Sequence, residues 1–363
     1  MKRKDLLHPA FGIDISDFSV EIAGITRTYT KPRVSSYGRI LLDKGIVEDG
    51  IIKKPDALAG FLKKVFANAK PHALRSKLCS VSIPESQVLM YHLKLPRNIG
   101  SSVLRKTILH EVSKNLPINI QDVYFDYQVV GFDQHNKFIF FAAAKKTFIH
   151  MYIDVLQKAS LFPLAFEVEP ISIFRSLHMG AKKGVVAVID AGAKNTKAYI
   201  FKNGNFVAHY TVNSGGEDIT ESISRNLHLS NERSEKIKKQ YGLDPDAREG
   251  CLFKAILPLL NKTASELKTF FNHYKIREKE SIRKIYMIGG ASLLTGAQDF
   301  FTTVFEQKAE RPNLLDRIQT KSLNIGRNDA MLYANVFGVS LRGIEKEPYG
   351  AGINLLSQAR YKT

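Results

Sequence analysis

The feature that most constrains this chain is a strand–aspartate–turn–strand unit that occurs twice. In "AVIDAGAKNTKAYIF" (187–201) an apolar strand ends on Asp190, small residues follow, and a second apolar strand resumes. "AFGIDISDFSVEIAGI" (10–25) has the same plan around Asp14, 176 residues earlier, with Ser16 standing where the second copy has Gly192. A unit repeated at nearly half-chain spacing predicts two similar α/β lobes. The 363 residues are enough for two compact units, and 22 Phe and 14 Tyr supply core bulk where Trp is absent.

Between the copies, residues 78–170 read as a separate module. "LCSVSIPESQVLMYHLKLP" (78–96) is patterned as two strands, and "SSVLRKTILHEVSKNLP" (101–117) as a helix with a Ser start and a Pro stop. "VYFDYQVV" and "KFIFFAAAKK" predict a hairpin, and "TFIHMYIDVLQKA" (147–159) a second amphipathic helix. The order ββαββα predicts an inserted α+β subdomain. The expected organisation is therefore 8–77 as the N-terminal part of the first lobe, 78–170 as the insert and 171–183 as lobe continuation or linker. The second lobe is expected over 184–338, with its own subdomain at about 225–280, and a C-terminal segment with a mobile tail over 339–363.

Several function classes lose support at this stage. The formal net charge of +18 comes from basic residues spread along the whole chain. That distribution favours a lysine-rich solvated surface over a nucleic-acid or membrane footprint, so charge assigns no partner. The basic start "MKRKD" is followed by strand-like "FGIDIS" rather than a long apolar segment, and "FIFFAAA" (138–144) is far too short to cross a bilayer. Cys79 and Cys251 have no metal-type spacing, which fits a reduced, cytosolic setting better than a disulfide scaffold. The ten histidines show no ligand pattern, and no Ser/His/Asp or Cys/His nucleophile set is coherent.

A nucleoside triphosphate held between two lobes needs backbone N–H groups in tight, small-residue turns. Its Mg²⁺ keeps most of its waters and takes one or two carboxylates nearby. Asp14 and Asp190 are the candidate carboxylates. "NSGGEDITESISRNL" (213–227) opens a helix with an acidic first turn, "SNERSEKIKKQYG" (230–242) is a lysine-rich helix, and "IYMIGGASLLTG" (285–296) is a strand followed by a Gly-Gly turn.

Taken in order, these elements resemble the actin-like ATPase superfamily. "GIDISDFSVEI" (12–22) is similar to its first phosphate loop and "DAGAKNTKAYI" (190–200) to its second. "SEKIKKQYG" (234–242) is similar to the connecting helix and "IYMIGGASLLTG" to the adenosine motif. The insert, with "HEVSKNLPINIQDVYFDYQVVG" (110–131), "FAAAKKTFIHMYIDVLQKASLFPLAFEVEPISIFRSL" (141–177) and "YANVFGVSLRGI" (333–344), resembles the PilM family of type IV pilus assembly proteins, in the FtsA-like branch. The fold this implies is an actin-like two-lobed ATPase fold, α/β, with duplicated ribonuclease-H-like lobes and the inserted α+β subdomain. The implied cofactors are ATP and Mg²⁺. Asp14 and Asp190 would position metal and water, with the metal reached through water. Nucleotide contacts would come from Ser16, Asp17, Gly192, Ala193, Lys194, Asn195, Thr196, Gly215, Gly216, Glu235, Lys238, Gly289, Gly290 and Ala291. Catalysis would be slow at most, with nucleotide acting mainly as a conformational ligand.

The implied partner is a PilN-like inner-membrane protein whose short cytoplasmic tail carries an Ile-Asn-Leu-Leu-Pro-like motif and docks on the insert. The chain would then be cytoplasmic, at the inner face of the membrane through that partner. An FtsA-like division protein and, from another class, a small-molecule kinase on the same fold are the alternative readings. Three positions depart from the family pattern, whose first loop usually runs Asp-x-Gly-small-small where this chain has Asp14-Ile15-Ser16-Asp17-Phe18, and Phe18 adds bulk there. Asp17 adds negative charge near the expected phosphates, so it points outward, is offset by Mg²⁺ and lysines, or weakens nucleotide binding. Glu21 stands where the family commonly has Lys, whereas the second copy has Lys197. The tail itself contains Ile353, Asn354, Leu355 and Leu356, similar to the partner motif. It is expected either to occupy the insert's cleft, in its own molecule or a neighbour's, or to be an ordinary mobile terminus.

Overall fold

The computed structural model of the protein describes residues 9–115, 117–177, 183–320, 323, 325–346 and 352–356. The chain opens with β1 (Phe11–Ile15), β2 (Ser19–Thr26), β3 (Arg33–Leu41), the short β4 (Val47–Glu48) and β5 (Ile51–Ile52), α1 (Pro55–Ala67) and β6 (Leu78–Ile83). It continues through β7 (Val88–Pro96), α2 (Ser101–Ser113), β8 (Val123–Phe132), β9 (Asn136–Lys145), α3 (Lys146–Lys158), β10 (Phe162–Val168) and α4 (Glu169–Leu177). Then come β11 (Val185–Ala191), β12 (Thr196–Lys202), β13 (Asn205–Val212), α5 (Gly216–Leu227), α6 (Asn231–Tyr241) and α7 (Cys251–Glu278). β14 (Ile282–Ile288), α8 (Ala297–Phe305), β15 (Ala309–Glu310), α9 (Arg327–Met331) and α10 (Ala334–Arg342) complete it. Two compact units result. The first comprises 1–179, 315–325 and 333–363, and the second 180–314 and 326–332.

The first unit is built on a five-stranded sheet in the order β3-β2-β1-β6-β10. β1 pairs antiparallel with β2 and parallel with β6. Both faces of the sheet are covered. The Phe11 ring meets Phe66 of α1, while the next residue, Gly12, lies so close to α10 that an added Cβ would sit 2.4 Å from Ser340 Oγ. Consecutive strand residues point to opposite faces, so α1 and α10 lie on opposite sides. This double cover explains why β1 and β2 are almost continuously buried rather than alternating.

The second unit repeats the arrangement as β13-β12-β11-β14-β15. Its first hairpin has the register of the first copy. Asp14 pairs with Glu21 and Asp190 with Lys197, each pair displaced by the same 176 residues. The turn between β12 and β13 places Asn203 and Gly204 at φ 50° and 84°, the double positive φ that a two-residue hairpin turn requires. Val185, Ala187, Ile189, Ala198 and Ile200 pack from the sheet against the inner faces of α5, α6, α7 and α8.

The insert is smaller than the sequence pattern implies. β6 and β10, at the two ends of the expected 78–170 module, pair with each other in parallel and belong to the first sheet. What stands apart is the antiparallel sheet β7-β9-β8 with α2 laid on it. Leu104, Ile108 and Val112, four residues apart on α2, meet Ile139, Phe141 and Phe125.

The C-terminal part also differs from expectation. α10 belongs with the first unit rather than with a second lobe running to 338, because it packs on α4 and β1 with no space to spare. A Cβ at Gly338 would fall 1.8 Å from Ser172 O. Within the tail expected to be mobile, Gly352–Leu356 is docked on the first unit, and Ile353 and Leu355 are completely buried. The rest of that tail, 347–351 and 357–363, lies outside the described residues.

Candidate functional site

In the second unit the predicted phosphate loop, the start of α5 and the adenosine motif converge on the end of β11. The loop after Asp190 is closed by Gly192 N–H donating to Asn195 O at 3.0 Å. It is fastened to the next turn by Gly216 N–H donating to Gly192 O (3.0 Å) and Glu217 N–H donating to Ala193 O (2.8 Å). Gly215 N–H donates to the Asp218 carboxylate at 2.8 Å, and the Thr196 hydroxyl donates to Ser214 O at 2.9 Å. Gly192, Gly215, Gly216 and Thr196 therefore shape the loop, and the tip they hold out to solvent is Ala193 and Lys194. Gly215 is required here, since a Cβ would meet Ala193 O at 2.4 Å.

The predicted adenosine motif approaches from β14. Gly289 has φ +81°, and a side chain there would strike Asp190 Oδ1 at 2.4 Å, so glycine is demanded both by conformation and by the carboxylate beside it. Gly290 and Ala291 lie in the short helical turn Gly290–Leu293 that follows.

Glu235 and Lys238 stand three apart on α6 and so share a face. Lys238 is buried, with 6% of its surface exposed, and its ammonium donates to Gly216 O and Thr220 Oγ1, each at 2.7 Å. Glu235 meets that ammonium at 2.5 Å and accepts from the Thr220 hydroxyl at 2.6 Å. Burial alone would raise the Glu235 pKa, but Lys238, the Thr220 hydroxyl and Lys239 hold it down at about 2. Burial lowers Lys238, with Glu235 opposing. Both shifts are downward: pairing and hydrogen bonding outweigh burial for Glu235, whereas burial outweighs pairing for the more deeply buried lysine. The lysine is thus not part of a solvated helix face. It ties α6 to the first turn of α5, beneath the loop. Thr220 was not foreseen, although its position one helical turn after Gly216 was a usable signal.

The first unit carries the matching hairpin with different chemistry. Ser16 Oγ accepts from Ser19 N–H at 3.0 Å and Phe18 N–H at 3.3 Å, making a side-chain-closed turn where the second copy has glycine. Asp17 accepts from Asp49 N–H (2.8 Å) and Gly50 N–H (3.0 Å). Its carboxylate is engaged with the turn between β4 and β5, whose Asp49 and Gly50 both have positive φ. Tyr152 of α3, buried, donates to Gly50 O at 2.9 Å and braces the same turn. Glu21 is buried and paired with Arg39 at 2.6 Å; burial raises its pKa and Arg39 opposes that. Asp14 is half-buried, opposite Glu21. Among the described residues there is no cluster of three or more His, Cys, Asp or Glu side chains able to hold a bare metal ion. A hydrated Mg²⁺ carried by a nucleotide needs only one or two carboxylates, and Asp190, beside the loop of the second unit, fits that requirement; Asp14 is the matching carboxylate of the first unit.

Three solved structures share this architecture. One titled as a PilM-PilN type IV pilus biogenesis complex aligns with TM-score 0.81 and 21% identity, covering 93% of this chain and 99% of that one. The ethanolamine utilization protein EutJ from Carboxydothermus hydrogenoformans aligns at 0.57 with 15% identity, over 92% and 89% of the two chains. MreB 5 of Spiroplasma citri, solved bound to AMPPNP, aligns at 0.50 with 13% identity, over 92% and 95%. The fold is that of the actin-like ATPases. The family of type IV pilus assembly protein PilM matches residues 12–343, and the chain belongs to that family. Cell division protein FtsA of Bacillus subtilis (strain 168) is a more distant relative, 32% identical over 98 residues, which is 27% of this chain and 22% of FtsA.

Proposed function

We propose that this protein is an ATP-binding, actin-like scaffold of type IV pilus assembly that holds the cytoplasmic tail of a PilN-like partner. The observation that carries the reading is the agreement of nearly the whole chain, insert included, with a protein solved as a PilM-PilN complex. Family membership supports the pilus assignment, and a fold relative solved with AMPPNP supports nucleotide.

In the second unit the groups that would hold ATP are the 192–195 turn and the glycine pair at 289–290. Lys238 would keep the floor of the loop rigid through Gly216 and Thr220. Mg²⁺, when bound, would neutralise phosphate charge, with Asp190 holding its water shell in the second unit; Asp14 is the matching carboxylate of the first unit. The two N–H groups of the β4–β5 turn that Asp17 accepts offset part of its negative charge, which favours retained binding. Nucleotide would act mainly as a conformational ligand. Among the described residues no helix is long and apolar enough to cross a membrane, so attachment at the inner face would come through the partner.

The test is calorimetric titration with MgATP. Binding is expected for the wild-type chain, and Asp190→Asn is expected to weaken it by about tenfold or more, equivalent to about 1.4 kcal/mol. No heat from the wild-type chain at millimolar MgATP would overturn the nucleotide reading. Failure of an immobilised PilN tail peptide to retain the chain would overturn the partner reading.

A further inference from the structure

The segment Gly352–Leu356 is held in a manner unlike ordinary core packing. It lies along β10, the edge strand of the first sheet, where backbone groups would otherwise face solvent. Leu355 N–H donates to Phe166 O at 3.0 Å. Asn354 reads the same edge with its side chain. Its Oδ1 accepts from Phe166 N–H at 3.2 Å, and its Nδ2 donates to Leu164 O at 3.5 Å. The same Oδ1 accepts from Leu356 N–H at 3.1 Å, which fixes the bend of the segment.

The other flank of the segment comes from the insert. Asn354 N–H donates to Asp126 Oδ2 of β8 at 2.8 Å. The wall behind it is charged. Arg342, fully buried, pairs with buried Glu167 at 2.8 Å and donates to Ile353 O at 2.9 Å and Gly352 O at 3.3 Å. The side-chain amide and the backbone N–H of Asn354 thus meet partners that belong to the receptor surface or to the bend itself. Ile353, Leu355 and Leu356 add three buried apolar side chains.

Backbone pairing to a strand edge, with alternate side chains in pockets and one amide reading backbone groups, is the way extended peptides are recognised in general. We propose that the groove between the β10 edge and Asp126 is a peptide-reading site whose resident ligand is the chain's own Ile-Asn-Leu-Leu segment. The segment is a cis competitor, and a partner tail of the same chemistry must displace it. This rests on the partner reading above and adds regulation to it. A groove filled by its own segment nine-tenths of the time weakens apparent affinity for an incoming peptide about tenfold.

The probe is a fluorescent peptide with this chain's residues 351–358, read by anisotropy. Binding to a chain lacking 351–363 is expected to be about tenfold tighter or more than to the full chain, and a probe carrying Asn354→Ala is expected not to bind. Equal affinity for the two chains, or no binding to a folded truncated chain, overturns the proposal. Retention on an immobilised PilN tail is scored separately, so loss of the competitor idea is distinguishable from loss of the partner reading. Should the truncated chain fail to fold, full-length Asn354→Ala serves instead. It keeps the three apolar anchors and is expected to bind the wild-type probe several-fold more tightly than the unaltered full chain. No gain in that variant also overturns the proposal.

Discussion

At the scale of single residues, the duplicated hairpins show how one backbone plan carries two chemistries. Glu21 and Lys197 occupy the same register position opposite Asp14 and Asp190. In the first copy the acidic choice is accommodated by the Arg39 ion pair, which works against the cost of burial. Lys238 illustrates the energetics most directly. Replacing it with Met would leave Gly216 O, Thr220 and Glu235 without their shared cation. A loss of about 1–3 kcal/mol is expected, read as a lower urea midpoint, together with weaker MgATP binding. The pH dependence has a defined sign. Glu235 titrates from about 4.5 when unpaired to about 2 in the fold, so its contribution is present above about 4.5 and is lost as pH falls through about 2. In Lys238→Met that acid-side component is expected to shrink, which pH-dependent melting curves would record.

At the scale of elements, close packing of α10 explains why this C-terminal helix belongs with the first unit. Gly338 and Gly12 allow α10 to approach α4 and β1 at backbone distance. Gly338→Ala places a methyl 1.8 Å from Ser172 O, a backbone atom that cannot swing aside. Destabilisation of about 3 kcal/mol or more is expected, at or above the usual overpacking range, and a chemical-denaturation series would measure it. The helical spacing of α2 and the strand patterns of the insert were legible in the sequence. Which strands belonged to the insert was not. β6 and β10 have the same apolar character as β7 and β9, and only hydrogen-bond pairing separates them.

At the scale of the whole molecule, residues distant in sequence converge on one buried carboxylate. Glu167 accepts from Arg175 through both oxygens, each at 2.6 Å, and from Arg342, so β10, α4, α10 and the 352–356 segment share one polar network. Glu167→Gln would leave the buried Arg342 and the half-buried Arg175 facing a neutral amide. Removing one partner of a buried ion pair costs about 3–5 kcal/mol. Loss of the cooperative thermal transition, or a fall in its midpoint by many degrees, is the expected outcome in calorimetry. An unchanged midpoint would mean that the arginines find other acceptors.

Local pattern by itself determined the duplicated Asp-tipped hairpins, the α/β class, the glycine turns at 215–216 and 289–290, and the family. Each depends on residue type and spacing within a single stretch or on the repeat of that stretch. Tertiary structure decided the rest: that Asp17 serves the β4–β5 turn, that Lys238 is buried rather than solvated, and that Ile353–Leu356 lies in a groove. The physical reason is the same in all three cases. The partners, Gly50 for Asp17, Gly216 for Lys238 and Phe166 for Leu355, are 22 or more residues away, and no local periodicity encodes which distant backbone group a side chain or a segment will meet.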